Sequence, residues 1–394
     1  MVQPVLAGIV GSLTGFASSF AIVIAGLTAV GATAEQAASG LLILCVAQGL
    51  LSIVFSLCYR IPLAFAWSTP GAALLVTAQS ITGDFRAAVG AFIVCGVLVV
   101  VVGAVPVLGK ALTRIPQPLA SGMLAGILFP LCLAPVVAAV ALPALALPTI
   151  AAWLVVSRFA PRWAVPAALV VTAVTVALTA QTDGATATLV SPSLAIVAPV
   201  FDLAVIASLG IPLFIVTMAG QNVPGFAVLT TFGYRAPAPS VLMATGVVTS
   251  VGAFFGGHAV NLAAITAAIM AGPDSHPDAS RRWVSAVAGG VSSLALALTA
   301  GYATALVSAS PPALINAVAG LALLGAFTAA IVSALDVPEH RLAALVTFLV
   351  VTSGVVIGGV GSALWGLLAG AVVMLWLRKR PGGMSDRGSW LRRR

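Results

Sequence analysis

Two stretches, Ala66-Trp67-Ser68-Thr69-Pro70-Gly71 and Gly256-Gly257-His258-Ala259-Val260-Asn261, interrupt otherwise apolar sequence, one in each half of the chain. Each is followed by about three helical turns of small apolar residues, at 72–79 and 262–270. Irregular backbone at membrane depth is tolerated only where protein buries it or where it lines a cavity. Such breaks at corresponding places in two halves indicate a transporter's substrate site. The sequence therefore predicts a secondary transporter whose substrate binds at the two breaks.

The composition is that of a membrane protein over the whole chain. Charged residues make up 7% of the 394 residues and apolar ones 61%, whereas a soluble domain has about 25% charged residues. The net charge is +8, but the basic residues are spread singly or in pairs between apolar runs, which is typical of positive-inside topology. The predicted partner is therefore the lipid bilayer, and no nucleic acid is expected. The four cysteines lie in apolar runs without metal-ligand spacing, so no metal or cofactor is expected.

Splitting the chain into spans of about 20 apolar residues predicts fourteen transmembrane segments. They are roughly 5–30, 37–58, 64–80, 87–108, 118–138, 143–158 and 163–180, followed by 203–230, 239–256, 257–271, 283–306, 312–334, 341–357 and 360–378. If the amino terminus is cytoplasmic and the sides alternate, only Arg86 of the 17 basic residues lies outside, which leaves 16 on the cytoplasmic face. The predicted fold is an all-α polytopic membrane protein with both termini in the cytoplasm.

An odd number of spans per half means that the second half enters the membrane from the opposite side. The sequence thus predicts two inverted seven-segment repeats, with broken segments at equivalent positions 3 and 10. The domains are the first repeat (1–180), an extracytoplasmic linker (181–202), the second repeat (203–378) and a basic cytoplasmic tail (379–394). One half-helix is predicted to begin at Ser68 and the other near His258, with both N-termini aimed at the bilayer midplane.

A helix N-terminus binds anions through its dipole and its unpaired N–H groups. Ser68 and Thr69 add hydroxyl donors at the first break, where Gly71 lies in the first turn, and His258 and Asn261 add polar side chains at the second. The alternative interpretation is that these residues only cap helices. Asp, Glu, Lys and Arg are absent from the middle of every predicted span. The predicted substrate is accordingly a small anion.

His258 is the candidate for proton coupling, because it is the only histidine that the partition places at membrane depth. A histidine titrates near neutral pH, and its charged form would attract the anion. The alternative is a neutral histidine that only forms hydrogen bonds. The coupling hypothesis predicts that His258→Ala abolishes proton-coupled accumulation.

The other candidate site residues are amides, a hydroxyl and aromatic rings. They are Gln221, Asn222, Ser18, Phe16, Phe20 and Trp67. Pro224 loosens the helix beside Gln221, whereas Gln48 is interpreted as a contact between helices. Most aromatic residues in membranes only pack, but a planar apolar substrate needs such walls. Aromatic rings beside two helix ends that favour an anion suggest an aromatic carboxylate.

Several strings resemble the benzoate/proton symporter (BenE) family over nearly the whole chain. They are Arg60-Ile61-Pro62, the segment 66–75 (AWSTPGAALL), Gly15-Phe16-Ala17-Ser18-Ser19, the segment 220–225 (GQNVPG) and the segment 258–269 (HAVNLAAITAAI). The resemblance implies benzoate import with protons across a bacterial inner membrane. It also implies the seven-plus-seven fold of nucleobase and sulfate-permease-like transporters, with a core domain (spans 1–4 and 8–11) and a gate domain (spans 5–7 and 12–14).

In that fold, short strands precede the half-helices of spans 3 and 10, as residues 63–67 would here. Nucleobase transporters use acidic residues in span 8 or 10, and this sequence has none there. That departure leaves His258, or protonation of the substrate itself, as the coupling agent. The sequence therefore predicts alternating-access import of benzoate or a similar aromatic carboxylate with protons. A homodimer is compatible with the sequence. The alternatives are an uncoupled uniporter or exchanger and an anion channel, while an enzyme is disfavoured because no deep acid accompanies His258.

Overall fold

The computed structural model describes residues 2–78, 82–105, 116–179 and 193–377, and most of this part of the chain is helical. The first-half elements are α1 (Val2–Ala29), α2 (Ala34–Tyr59), β1 (Phe65–Trp67), α3 (Thr69–Thr77), α4 (Phe85–Ala104), α5 (Gln117–Ala141), α6 (Pro143–Phe159) and α7 (Ala164–Thr179). The second-half elements are α8 (Leu203–Thr231), α9 (Ala238–Ala253), β2 (Val260–Leu262), α10 (Ile265–Ala271), α11 (Trp283–Ala297), α12 (Ala300–Ala309), α13 (Pro312–Leu335), α14 (Arg341–Thr352) and α15 (Ser362–Leu377).

Seven of the described helices are long and apolar enough to cross a membrane, and a bent pair raises the number to eight. The pair is α11 with α12, which meet at a 60° bend. The chain is thus a polytopic membrane protein, as predicted. The other six predicted spans coincide with shorter elements, so the count of fourteen stays a prediction. The tail 379–394 and most of the linker 181–202 lie outside the described residues.

Two close helix crossings each join the first half of the chain to the second. Helix α2 packs on α11, and α4 packs on α9. Glycines face each other at both crossings, because a Cβ on Gly290 would lie 2.7 Å from the Gly49 carbonyl and one on Gly246 would lie 2.6 Å from the Gly96 carbonyl. Small residues of this kind let membrane helices approach backbone to backbone. The two halves of the chain therefore pack directly on each other at these crossings.

An antiparallel pair of short strands brings the two sequence breaks together. Phe65 pairs with Leu262, Ala66 with Asn261, and Trp67 with Val260. This pairing also shows that the predicted start of the second half-helix, near His258, is wrong. Asn261 lies in β2 and pairs with the first break, His258 lies two residues before that strand, and α10 begins only at Ile265. Neither polar residue therefore lies at the start of this half-helix.

Helix α8 contains two π-helical turns, Ile206–Gly210 and Met218–Asn222. The second turn comes directly before Val223 and Pro224, and Pro224 has no N–H to donate to the preceding turn. π-turns of this kind change the direction of the side chains that follow them and are frequent at functional sites. This turn carries Gln221 and Asn222.

Candidate substrate-binding site

The outer edge of β1 is satisfied by side chains of α2. The Phe65 N–H donates to Ser52 Oγ at 3.0 Å, and the Trp67 N–H donates to Gln48 Oε1 at 3.2 Å. A backbone donor without a partner at membrane depth costs several kcal/mol, of order 4. Gln48 thus has a specific task, because it completes the hydrogen bonding of the strand edge rather than only joining helices.

The outer edge of β2 is satisfied in the same way by side chains of α9 and α8. The Val260 N–H donates to Thr249 Oγ1 at 2.9 Å, and the Leu262 N–H donates to Asn222 Oδ1 at 2.9 Å. Asn222 is fully buried. Its side chain therefore supports the strand and does not face the cavity described below.

Ser68 and Gly71 form the cap of α3. Ser68 is fully buried, its Oγ accepts from the Gly71 N–H at 3.1 Å, and Thr217 Oγ1 donates to the same Oγ at 2.9 Å. The Ser68 carbonyl accepts from the Ala72 N–H. Since Pro70 has no N–H, the Thr69 N–H is the donor left available at this helix end.

His258 and Asn261 are both fully buried. Asn261 lies in β2 and His258 two residues before it, beside the ribbon that the paired strands β1 and β2 form. The His258 ring lies 6.5 Å from the Phe92 ring of α4, measured between centroids, and its nitrogens make no well-aligned hydrogen bond within the described part of the chain. Asn261 Nδ2 donates to the Leu262 carbonyl at 3.0 Å, and its Oδ1 is left without a partner there. Neither residue lines the cavity described below.

A cavity of about 110 Å³ lies between α1, α2, β1, the start of α3, the second π-turn of α8, α10 and α11. Since a single water needs about 10–15 Å³ on this measure, the cavity has room for several waters or one small organic molecule. Among the predicted site residues it is lined by Phe16, Ser18, Trp67, Thr69 and Gln221. The structure leaves the others outside it, namely Ser68, Gly71, Phe20, Asn222, His258 and Asn261.

One wall of the cavity is aromatic. The Phe16 ring stacks on Phe20 with centroids 5.2 Å apart and meets the Trp67 ring edge-on at 5.9 Å. Trp67 is fixed at its polar end, because its Nε1 donates to Ser19 Oγ at 3.0 Å. Phe20 thus supports Phe16 from behind, while Phe16 and Trp67 face the cavity.

The polar lining falls into two groups. The side chains of the first group already bond to the protein: Ser18 and Ser19 donate to the Gly15 carbonyl of their own helix, Ser12 and Ser293 share a hydrogen bond of 2.9 Å, and Gln48 and Ser52 accept from β1. Four other lining side chains make no hydrogen bond to any residue that the structure describes, and they are Thr14, Thr69, Gln221 and Thr266. Thr14 and Thr266 were missed at the sequence level. The only signal for Thr14 was its position one turn before Ser18, and Thr266 lies in the segment 262–270, which was expected to be helical, without having been singled out.

None of the described side chains that line the cavity is acidic, basic or a histidine. Within the described residues, no three His, Cys, Asp or Glu side chains lie close enough together to hold a metal ion. What the cavity offers is an aromatic wall, neutral hydroxyl and amide donors, and the start of α3 with its partial positive charge.

Comparison with known proteins gives the family. The family model described as benzoate membrane transport protein matches residues 1–375. The chain belongs to the BenE family. It is 40% identical over 370 residues to inner membrane protein YdcO of Escherichia coli strain K12, covering 93% of this chain and 94% of that protein. It is 32% identical over 327 residues to the benzoate membrane transport protein of Acinetobacter baylyi, covering 83% of each chain.

The fold is shared with more distant transporters. The transmembrane domain of a cyanobacterium bicarbonate transporter, BicA, superimposes with a TM-score of 0.60 at 16% identity, over 94% of this chain and 98% of that one. Murine Solute Carrier 26 family member A9, an anion transporter in the inward-facing state, gives 0.58 at 11% identity, over 95% and 69%. Membership of the BenE family makes the protein a membrane transporter and not an enzyme.

Proposed function

We propose that this protein imports benzoate, or a similar small aromatic carboxylate, with protons across a bacterial inner membrane by alternating access. The observation that carries the proposal is the cavity, where Phe16 and Trp67 stand beside the free donors of Thr69 and Gln221. An aromatic ring gains from offset or edge-on contact with other rings. A carboxylate gains from neutral donors at a helix start.

The carboxylate belongs at the Thr69 and Gln221 end of the cavity. These residues are neighbours, because Gly220 faces Pro70, and a methyl group on Gly220 would lie 3.6 Å from Pro70 Cγ. Thr69 supplies its hydroxyl and its N–H, and Gln221 supplies two amide hydrogens. Charge-assisted hydrogen bonds from such neutral donors hold a carboxylate without a buried cation.

The membrane arrangement in this proposal is the fourteen-span inverted repeat with both termini in the cytoplasm. It is supported by the distribution of basic residues, of which Arg86 alone falls outside. The name of the Escherichia coli relative supports an inner-membrane location. The core domain, which carries both strands and both half-helices, would move against the gate domain formed by α5–α7 and α13–α15.

Proton coupling has two candidate carriers, His258 and the substrate carboxylate itself. His258 does not line the cavity, and the described lining has no ionisable side chain. A proton on His258 would therefore act on the substrate through the ribbon rather than by contact. The same observation favours the second candidate function, an uncoupled uniporter or exchanger of small organic anions.

Uptake of radiolabelled benzoate into proteoliposomes tests the proposal. With an inward proton gradient, we expect accumulation above equilibrium that disappears when an ionophore collapses the gradient. Equilibration of benzoate without accumulation above equilibrium would favour the uncoupled transporter. The absence of both uptake and binding would exclude benzoate.

The His258→Ala variant tests which group carries the proton. If His258 does, the variant loses gradient-driven accumulation but retains benzoate counterflow at equal pH on both sides. Full accumulation in the variant would remove His258 from the mechanism and leave the substrate as the carrier. Equal loss of accumulation and counterflow would show that the buried ring only stabilises the ribbon.

A further inference from the structure

A methionine side chain fills the space between α1 and α11 at one end of the cavity. Met270, in the last turn of α10, lines the cavity and is almost fully buried. A methyl group on Gly11 of α1 would lie 3.1 Å from Met270 Cε, and one on Gly289 of α11 would lie 2.5 Å from the same atom. Both glycines also line the cavity. The end of the methionine side chain therefore occupies a gap that exists because both neighbouring helices carry glycine there.

Beyond Met270, the backbones of α1 and α11 are in contact. A methyl group on Gly8, about one turn before Gly11, would lie 2.8 Å from the Gly289 nitrogen. Gly8 does not line the cavity, and neither does Ser285, whose Oγ donates to the Met270 carbonyl at 2.9 Å. The cavity therefore ends at Met270 on this side. Its side chain is the part of that end that a substitution shortens without moving a helix backbone.

Met270 and the start of α3 lie toward opposite ends of the cavity. Helix α3 approaches α1 at Gly26, where a methyl group would lie 2.6 Å from the carbonyl oxygen of Ala72, three residues after Thr69. Met270 approaches α1 at Gly11. These two contacts are fifteen residues apart on α1, which is about 22 Å along the helix axis. A substrate whose carboxylate binds at Thr69 therefore has its opposite end directed toward Met270.

The surroundings of Met270 are apolar. Its side chain packs in one cluster with Ala64, Ala263 and Ala286, and the first two of these alanines also line the cavity. A thioether has no N–H or O–H to donate and is flexible about three bonds. This end of the cavity therefore selects a ligand by its length and volume rather than by a hydrogen bond.

We propose that Met270 determines specificity by setting the greatest length of aromatic carboxylate that the site accepts. The inference rests on the proposed function and extends it. With the carboxylate at Thr69 and Gln221, a substituent para to it points toward Met270. A long alkyl substituent would have to displace a side chain that is already packed between two helices, and such overpacking lowers affinity. Replacing Met270 with a smaller residue opens the gap between Gly11 and Gly289 to the ligand.

Competition against radiolabelled benzoate on the full-length protein tests the length limit. We expect para-butylbenzoate to bind the wild type about tenfold more weakly than benzoate. Met270→Ala should bring that ratio to about one and leave benzoate affinity within about twofold, while Met270→Leu, which keeps the volume, should keep the discrimination. Ortho-butylbenzoate is the matched ligand, because its chain lies beside the carboxylate. We expect Met270→Ala to leave its affinity relative to benzoate unchanged.

The matched control is Met123→Ala, which removes the same atoms from a fully buried position in α5 outside the cavity and should not change the ratio. Met270→Val, a smaller truncation, should give an intermediate ratio and decides the test if the alanine variant does not fold. Equal binding of benzoate and para-butylbenzoate by the wild type would overturn the inference alone. So would a Met270→Ala variant that retains the wild-type discrimination or weakens both ligands equally. Failure of the wild type to bind benzoate would overturn the proposed function, and the inference with it.

Discussion

The two strand–helix units of this transporter pair with each other, yet each half-helix is fixed at a different end. Helix α3 is held at its start, where the buried Ser68 caps Gly71. Helix α10 has no side-chain cap at its start. It is held at its end, where Arg282 Nη1 donates to the Ala271 carbonyl at 2.9 Å and Ser285 Oγ donates to the Met270 carbonyl at 2.9 Å.

The difference shows how two related units divide their tasks. The start of α10 borders the cavity through Thr266 without a protein side chain occupying its first turn. Its rigidity comes instead from Arg282, a buried cation at a helix C-terminus, where the helix dipole favours positive charge. Helix α10 is therefore anchored at the end that the predicted topology places toward the cytoplasm.

The largest expected effect comes from breaking the anchor of α10. Besides Ala271, Arg282 donates to the carbonyls of His276 at 2.7 Å and Pro277 at 3.2 Å, so it holds the loop that follows the helix. Arg282→Gln should lower the free energy of unfolding by about 3 kcal/mol, the upper range for hydrogen bonds to a charged group. Thermal unfolding in detergent measures the loss.

The neighbouring Arg281 is the matched control for this change. Its side chain is 58% exposed and faces Asp278 at 3.6 Å, an arrangement worth about 0–1 kcal/mol. Arg281→Gln should leave the melting temperature within experimental error. If both variants had the same melting temperature, the Arg282 guanidinium would not be the group that holds the end of α10.

The next prediction distinguishes two adjacent residues of the second π-turn, Asn222, which supports β2, and Gln221, which faces the cavity. Asn222→Ala leaves the Leu262 N–H without its acceptor and should cost about 1–3 kcal/mol of stability. Gln221→Ala should leave stability unchanged and weaken benzoate binding about tenfold, because Gln221 faces the cavity without a protein partner. Melting curves and benzoate competition on both variants check this.

The opposite pattern, with Asn222→Ala losing binding and Gln221→Ala losing stability, would contradict the assignment. Loss of both properties in both variants would mean that the π-turn acts as one unit. In either case the division of tasks between these adjacent amides would have to be abandoned.

The sequence predicted the paired breaks because they interrupt long apolar runs, and it predicted the strand before α3 from the family resemblance. It could not distinguish Asn222 from Gln221. Which amide meets a strand edge depends on the pairing of Trp67 with Val260, which are far apart in the chain, and on the π-turn. Neither the strand pairing nor the π-turn can be predicted from residue propensity or hydrophobic periodicity.

The position of His258 was hidden for the same reason. A polar residue after two glycines is compatible with a helix cap or with a strand, and only the partner strand decides between them. The His258 ring, two residues before β2, packs against Phe92 of α4 and stays out of the cavity lining. Thr14 was overlooked because a single threonine in an apolar helix usually bonds its own backbone.

The smallest expected effect comes from weakening the anchor of α3. Ser68→Ala removes the cap from the Gly71 N–H and should cost about 1 kcal/mol, with a modest loss of benzoate affinity because the first turn that carries Thr69 frays. Thr217→Val removes only the hydrogen bond that Ser68 receives, so its cost should be smaller. Unfolding of both single variants and the double variant gives the coupling energy, which we expect to exceed about 0.5 kcal/mol for residues in contact. Strict additivity would show that Thr217 does not help to hold the cap in place.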